Sequence, residues 1–309
     1  VKLVEPYVVN VSSINDFAHC RFRWWAKWIM NREPLHDSVP LTFGTMLHTV
    51  FEDVHTGVGT FKEVIPSRRA EWYAAAMVEM DTFNREVAFK AIQTLDDLTE
   101  ALVQWKDKYD FEVPCLEVEC PFEHELMPGV ILRGRPDRVG VMQGRLWHVQ
   151  HKGLAAGTHF GVYTDLALRS YHEHSYAEAL HRKYPDIPIG GTLFDLIRKL
   201  KYRTYVGTKR EAVKSYDEMF MQHPMSVELD SPLHLHVMDS VRQHVRDMRE
   251  CEWKFKEGGV VPAPNEGANG GFFHNKPDEY FKVLTGEYEL DDDRYFRARV
   301  DTYAAVEEE

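Results

Sequence analysis

Gly134-Arg135-Pro136-Asp137-Arg138, followed thirteen residues after the aspartate by Gln150-His151-Lys152, is the stretch that decides the fold. On a pleated strand residues two apart share a face, so Gln150 and Lys152 point the same way. Met142-Gln143-Gly144 reads as a hairpin turn, and a hairpin partner sets Asp137 beside them. A carboxylate, an oxygen donor and an ammonium then converge on one point. Phosphodiester hydrolysis needs that convergence: a hard divalent cation held by carboxylate oxygens polarises the phosphate, and a nearby lysine orients water or offsets developing charge. Alone the pattern is weak, because a chain of this size contains several such combinations by accident.

Strands are expected at Leu116 to Phe122, Val130 to Val139 and Leu146 to Lys152, where short apolar runs alternate with polar residues. A helix is expected from about Asp165 to Lys183. Pro185, Pro188, Gly190 and Gly191 then interrupt, and Thr192 to Ile197 reads as another strand. Upstream, Phe43, Leu47, Val50, Phe51 and Val54 make one apolar helical face, with Gly44, His48 and Glu52 on the neighbouring face. Ser67 to Lys108 reads as two or three helices. Ser12 to Asn31 reads as an aromatic and basic helix opened by a capping signal. Pro232 to Lys256 reads as a long helix and Gly258 to Gly271 as a loop. The order helix, three strands, helix, strand specifies an α/β core with a mixed sheet and helical insertions.

The chain has 309 residues, 44% of them hydrophobic and 12% aromatic, enough to bury a substantial core. The length allows one large domain or two small ones; a single domain is expected over residues 1–309, with a core at about 40–57 and 111–200, a helical insertion at 60–110 and a helical and loop extension at 201–309. A net charge of -12 argues against coating nucleic acid over a broad basic surface, though not against a local phosphate-gripping groove. No apolar run approaches the ~20 residues that span a bilayer, and no secretion signal is read at Val1, so no membrane partner and a cytoplasmic setting are expected. The four cysteines, at 20, 115, 120 and 251, form no close CxxC pair and read as free thiols.

Over roughly Ser12 to Lys199 the chain resembles the PD-(D/E)XK nuclease superfamily, in particular its RecB-like and CRISPR-associated exonuclease branch. Ser12-x-Ile14-x-x-Phe17-x-x-Cys20 is similar to the opening helix of that branch, and Gly44-x-x-x-His48 to its histidine helix. Pro136-Asp137 and the strand ending in Lys152 match the name-giving motif. His172-Glu173-His174-Ser175-Tyr176 stands where the branch carries Gln-x-x-x-Tyr. The resemblance implies a restriction-endonuclease-like fold and Mg2+ or Mn2+ as cofactor. It implies His48, Asp137 and position 150 as metal ligands, with the backbone carbonyl of His151 completing the site. Lys152 becomes the catalytic lysine. Tyr176, with His172 one turn before it, would contact the DNA backbone or position the lysine and water. The expected activity is a DNA exonuclease of phage or bacterial recombination and repair, acting on linear ends or single strands, with a recombination or replication protein as a further partner.

Gln150 departs from this pattern, because a neutral amide stands where the site needs an acid. Losses even in the outer shell of a metal site cost ~10 to 100-fold in affinity or activity, so the chain as given is expected to be impaired. Gln150 is either a deliberate replacement of an acid that traps an inactive complex, the reading favoured by the intact remainder of the constellation, or a natural variant. Several relatives hold an iron-sulfur cluster with one cysteine in the opening helix and three near the carboxyl terminus. Cys20 occupies the first place, but Pro262 to Leu284 contains no cysteine, so no iron-sulfur cluster is expected.

Other readings compete at several positions. Glu52 serves equally well as an acid near the metal or as an exposed neighbour of His48. Glu117 and Glu119 read as the solvent-facing side of the first strand, although an acid of this strand can approach the metal in such folds. The pairs His172/His174 and His234/His236 diverge on helices and do not read as zinc sites. Arg133, Arg135 and Arg138 either neutralise a DNA backbone or pair with Glu119 and Glu123. Trp24, Trp25 and Trp28 offer base stacking, although core packing is expected for at least two. A nuclease-derived DNA-binding subunit with a silent site, and a structure-specific endonuclease, are the alternative functions.

Overall fold

The computed structural model describes residues 6–35, 39–79, 81–109, 113–155, 160–161, 167–199, 219–263, 272–273, 276–277, 279–284, 286–293 and 295–299. The chain divides into two compact units, one of Val1–His36, Glu125–Leu132 and Asp239–Glu309, the other of Asp37–His124 and Arg133–Met238. The start of the helix expected from Asp165, the whole of the 201–218 stretch and much of the loop expected after Gly258 lie outside the described residues.

The first unit opens with β1 (Tyr7–Asn10), α1 (Val11–His19), α2 (Arg21–Trp24), which runs on as a π-helical turn over Trp25–Ile29, and β2 (Arg32–Pro34). The single helix expected over Ser12 to Asn31 is therefore broken, at Cys20, whose backbone is extended. Asp16 explains the return of the second segment: its Oδ2 accepts from Lys27 Nζ at 2.9 Å and Trp28 Nε1 at 2.8 Å. Trp24 and Trp25 are buried, whereas Trp28 lies under the Arg299 guanidinium, 4.0 Å from its ring centre.

The second unit carries α3 (Val39–His55), α4 (Phe61–Val78), α5 (Thr82–Tyr109) and β3 (Cys115–Val118). The hairpin β4 (Phe122–Met127) and β5 (Val130–Gly134) follows and is shared between the units. Then come β6 (Arg138–Met142), β7 (Arg145–Ala155), α6 (Tyr171–Lys183), β8 (Ile189–Lys199) and β9 (Phe220–Ser226). The helix α7 (Pro232–Gly258) leads into the short elements β10 (Phe272–Phe273), β11 (Lys276–Pro277), α8 (Glu279–Leu284) and β12 (Phe296–Ala298). β12 pairs with β2, and β1 with β5.

A five-stranded sheet of order β3-β6-β7-β8-β9 forms the second unit's centre, antiparallel except for the parallel pair β7 and β8. With α3 before it and α6 between β7 and β8, this is the expected mixed α/β core of helix, three strands, helix and strand. The strand bounds differ from expectation. Leu116 to Phe122 breaks at Glu119, whose φ of 47° is left-handed. Val130 to Val139 breaks at Arg135-Pro136-Asp137, so that only its end enters the large sheet. Proline supplies no amide hydrogen there, and β4 with the first part of the broken strand becomes a separate hairpin. The β6–β7 turn falls at Gln143 and Gly144, both at positive φ (53° and 73°), as a tight two-residue hairpin requires.

Side-chain alternation along β7 sends Val149 and His151 towards one layer and Leu146 and Leu154 towards the other. The first layer is built on α3 and α5: Phe43, Leu47, Val50, Phe51 and Val54, the face read from the sequence, bury against Leu98, Leu102 and Trp105. The second layer is α6, whose Ala177 and Leu180 meet Leu154 and Leu146 in separate clusters. β9, with Phe220 and Met225 buried, has no counterpart in the sequence reading.

Candidate active site

Asp137 sits between β5 and β6, one residue before the ladder in which Arg138 pairs with Val149 of β7 and Val118 of β3. The next rung therefore brings Glu119, Asp137 and Gln150 into one row across three strands. The Glu119 N–H donates to the Asp137 carbonyl at 2.9 Å, and the His151 N–H donates to Asp137 Oδ2 at 3.4 Å. From α3, His48 Nδ1 stands 3.3 Å from the same Oδ2. Burial works to raise the Asp137 pKa, but His48, Lys152, His148 and His151 together hold it below the usual carboxylate value. Burial lowers that of His48, against the pull of Asp137 and with the help of Lys152, which favours the neutral imidazole, the form able to donate a lone pair.

Gln150 is 6% exposed, and its Oε1 has no hydrogen-bond partner among the described residues. Buried oxygens of this kind are rare and mark a site that expects a ligand or water. Lys152 follows on the same face of β7, and its charge is felt at Asp137, His48 and His172. His48, Asp137, Gln150 and Lys152, dispersed in sequence, thus share one neighbourhood.

His151 divides between two faces. Its main-chain N–H reaches Asp137, whereas its buried imidazole stacks on Phe51 with ring centres 3.7 Å apart and planes 6° from parallel. The ring also lies 3.1 Å from Asp195 Oδ2. Burial, with His55 and Arg138 nearby, keeps it well below its ordinary pKa. The side chain belongs to the α3 layer, which leaves only the main chain to serve the site.

On the α6 layer, Tyr176 is wedged edge-on against Phe122, His148 and His172, at centroid distances of 5.4, 4.8 and 5.7 Å. A Cβ at residue 134 would lie 2.3 Å from Phe122 Cζ and 2.7 Å from Tyr176 Cε1, which is why a glycine stands there. Burial depresses His172 to about 4, with Lys152 and His148 reinforcing it against Glu173 and Asp137.

Glu119 was misread as solvent-facing, and Glu173 was missed in the sequence. Glu119 is not a solvent-facing strand residue: the left-handed turn folds it back beside Asp137, its Oε2 2.7 Å from Arg135 Nε. Burial raises its pKa to about 7 against the pull of Arg135, and Asp137 and Glu52 add to the rise. Glu117 accepts from Lys183 at 2.9 Å and from the Tyr184 hydroxyl. Glu173, to which the sequence reading gave no role, is 3% exposed. It accepts from Thr192 Oγ1 at 2.5 Å and lies 3.7 Å from His148 Nδ1.

The arginines pair as one of the readings had it, Arg133 with Glu123 and Arg135 with Glu119, while Arg138 is buried against His55 and the Val113 carbonyl. His174 and His234, one from each histidine pair, meet with Nδ1 atoms 3.1 Å apart. Among the described residues no group of three or more His, Cys, Asp and Glu side chains is arranged to hold a metal ion. At the Asp137 site the amide oxygen of Gln150 would be the third donor. One carboxylate, one neutral imidazole and one orphaned amide oxygen fit a divalent cation, with less negative charge than two carboxylates would bring.

No helix among the described residues is long and apolar enough to cross a membrane. A search of curated proteins returned no match. The family model of the PD-(D/E)XK nuclease superfamily matches residues 8–300, a superfamily that generally uses divalent metals such as Mg2+ or Mn2+ and whose substrate is DNA. With that match over nearly the whole length, on the mixed α/β fold described above, the chain belongs to the PD-(D/E)XK nuclease superfamily.

Proposed function

We propose that the protein is a divalent-metal-dependent DNA exonuclease of the RecB-like branch, serving phage or bacterial recombination and repair on linear ends or single strands. The observation that carries this reading is the 3.3 Å approach of His48 to Asp137, beside the orphaned oxygen of Gln150. His48, Asp137, Gln150 and the main chain at His151 would hold Mg2+ or Mn2+, which supplies Lewis-acid polarisation of a phosphate oxygen. Lys152 places an ammonium where negative charge develops on the phosphate. Asp137 stays ionised because cationic and imidazole groups surround it. Tyr176, fixed by three aromatic neighbours, and His172 would contact the DNA backbone or hold Lys152 in place. The helices α4 and α5, inserted between α3 and β3, would narrow access so that only ends or single strands enter.

Linear and covalently closed circular DNA of one sequence, incubated with the Gln150→Glu protein and Mn2+ or Mg2+, separate the modes. Loss of the linear form with the circle intact is expected, and degradation of the circle contradicts an exonuclease. The neutral Gln150 favours one second reading, a nuclease-fold DNA-binding or complex subunit. DNA retention without metal, together with no gain of cleavage on Gln150→Glu, would establish that reading instead.

A further inference from the structure

With a neutral residue at position 150, the formal charges of Asp137 and Lys152 cancel. A cation then finds no net attraction in the row it is meant to occupy. Glu119 adds little, because Arg135 stands 2.7 Å from it. The remaining buried acid of the α6 layer is Glu173. Its partners tie it to the site: Thr192 on β8 at 2.5 Å, and His148, which stands two residues before Gln150 on the same face of β7, at 3.7 Å. Both nitrogens of His148, a residue 1% exposed, lack a hydrogen-bond partner among the described residues. Of two consecutive positions on one strand face, 150 thus carries a buried oxygen left open and 148 faces a buried carboxylate. Burial disfavours the Glu173 carboxylate, but His148, Thr192 and His172 keep its pKa below the ordinary value.

The geometry points to Glu173 as the source of the negative charge that position 150 lacks, a positioning residue that acts on the cation site through His148 rather than by touching the cation. This rests on the metal-dependent reading above. In a poorly solvated interior a full charge is weakly screened, so a carboxylate behind the first row still attracts a divalent ion. An acid at 150 and an acid at 173 are then partly interchangeable. Each matters most when the other is absent.

That interchange is measurable without any turnover. Mn2+ affinity, read from the loss of the free-ion electron paramagnetic resonance signal, is compared in the unaltered protein, Glu173→Gln, Gln150→Glu and the double variant. Glu173→Gln should weaken Mn2+ binding at least about tenfold in the unaltered background and less than about threefold when Glu occupies position 150. Thr192→Val is the structural control: it removes the hydrogen bond but not the charge, so it should lower the melting temperature and spare Mn2+ affinity. Equal losses in both backgrounds, or an Mn2+ affinity unmoved by Glu173→Gln, overturn the inference while leaving the metal-dependent reading intact. No Mn2+ binding by any of the four proteins overturns both.

Discussion

His48 Nδ1 on α3 and Asp137 Oδ2 at the mouth of the β6–β7 hairpin stand 3.3 Å apart. That contact joins the helical layer to the sheet at the one point where Gln150 and Lys152 also arrive. Four consequences can be measured.

Gly134→Ala should destabilise the protein. The added methyl would lie 2.3 Å from Phe122 Cζ and 2.7 Å from Tyr176 Cε1, and both rings are buried, so neither can swing to solvent. Overpacking of this kind costs about 1–3 kcal/mol. Denaturant melts should show the loss, and Gly134→Ala combined with Phe122→Leu should recover part of it.

His172 makes stability fall in mild acid. Burial holds its pKa at about 4 in the folded chain, against 6.5 for the free side chain. Below 6.5 the unfolded chain takes up a proton that the folded chain refuses. Stability is therefore lost as pH drops from 6.5 towards 4 and is constant below that, by up to about 3 kcal/mol. His172→Phe should flatten that slope in urea melts between pH 7 and pH 4.5; an unchanged slope contradicts the assignment.

Glu119 acts in the opposite direction. Burial raises its pKa from 4.5 to about 7, so the unfolded chain releases the proton first. The resulting cost is absent below pH 4.5, grows up to pH 7 and is constant above. Its side chain is 22% exposed, which limits the effect to at most about 2 kcal/mol. Glu119→Gln should therefore raise the melting temperature at pH 8 relative to the unaltered protein, with little change at pH 4.5.

Much of this was legible in the sequence because periodicity reports burial. The spacing of Phe43, Leu47, Val50, Phe51 and Val54 gave the α3 face, and Gln143-Gly144 gave the turn that aligns Asp137 with Gln150. The break at Arg135-Pro136-Asp137 carried a signal in Pro136, which has no amide hydrogen to give a ladder, whereas the break at Glu119 was not legible, since local alternation continues through it and only the pairing of distant strands reveals it. Glu173 and His148 escaped for a related reason. A charged helix position and a histidine in a strand read as solvent-facing until the layer that covers them is known, and Thr192, the residue that completes their network, comes from another strand.

The proposed function requires His48, Asp137, position 150 and Lys152 to form one metal-dependent hydrolytic site. It is tested most directly by Mn2+-dependent degradation of end-labelled linear DNA by the Gln150→Glu protein, with and without Lys152→Ala. Convergence of these residues predicts faster degradation than by the unaltered chain, abolished by chelation and reduced at least about 100-fold by Lys152→Ala. Degradation that is indifferent to Lys152→Ala, or no degradation by the Gln150→Glu protein with any divalent ion, would contradict it.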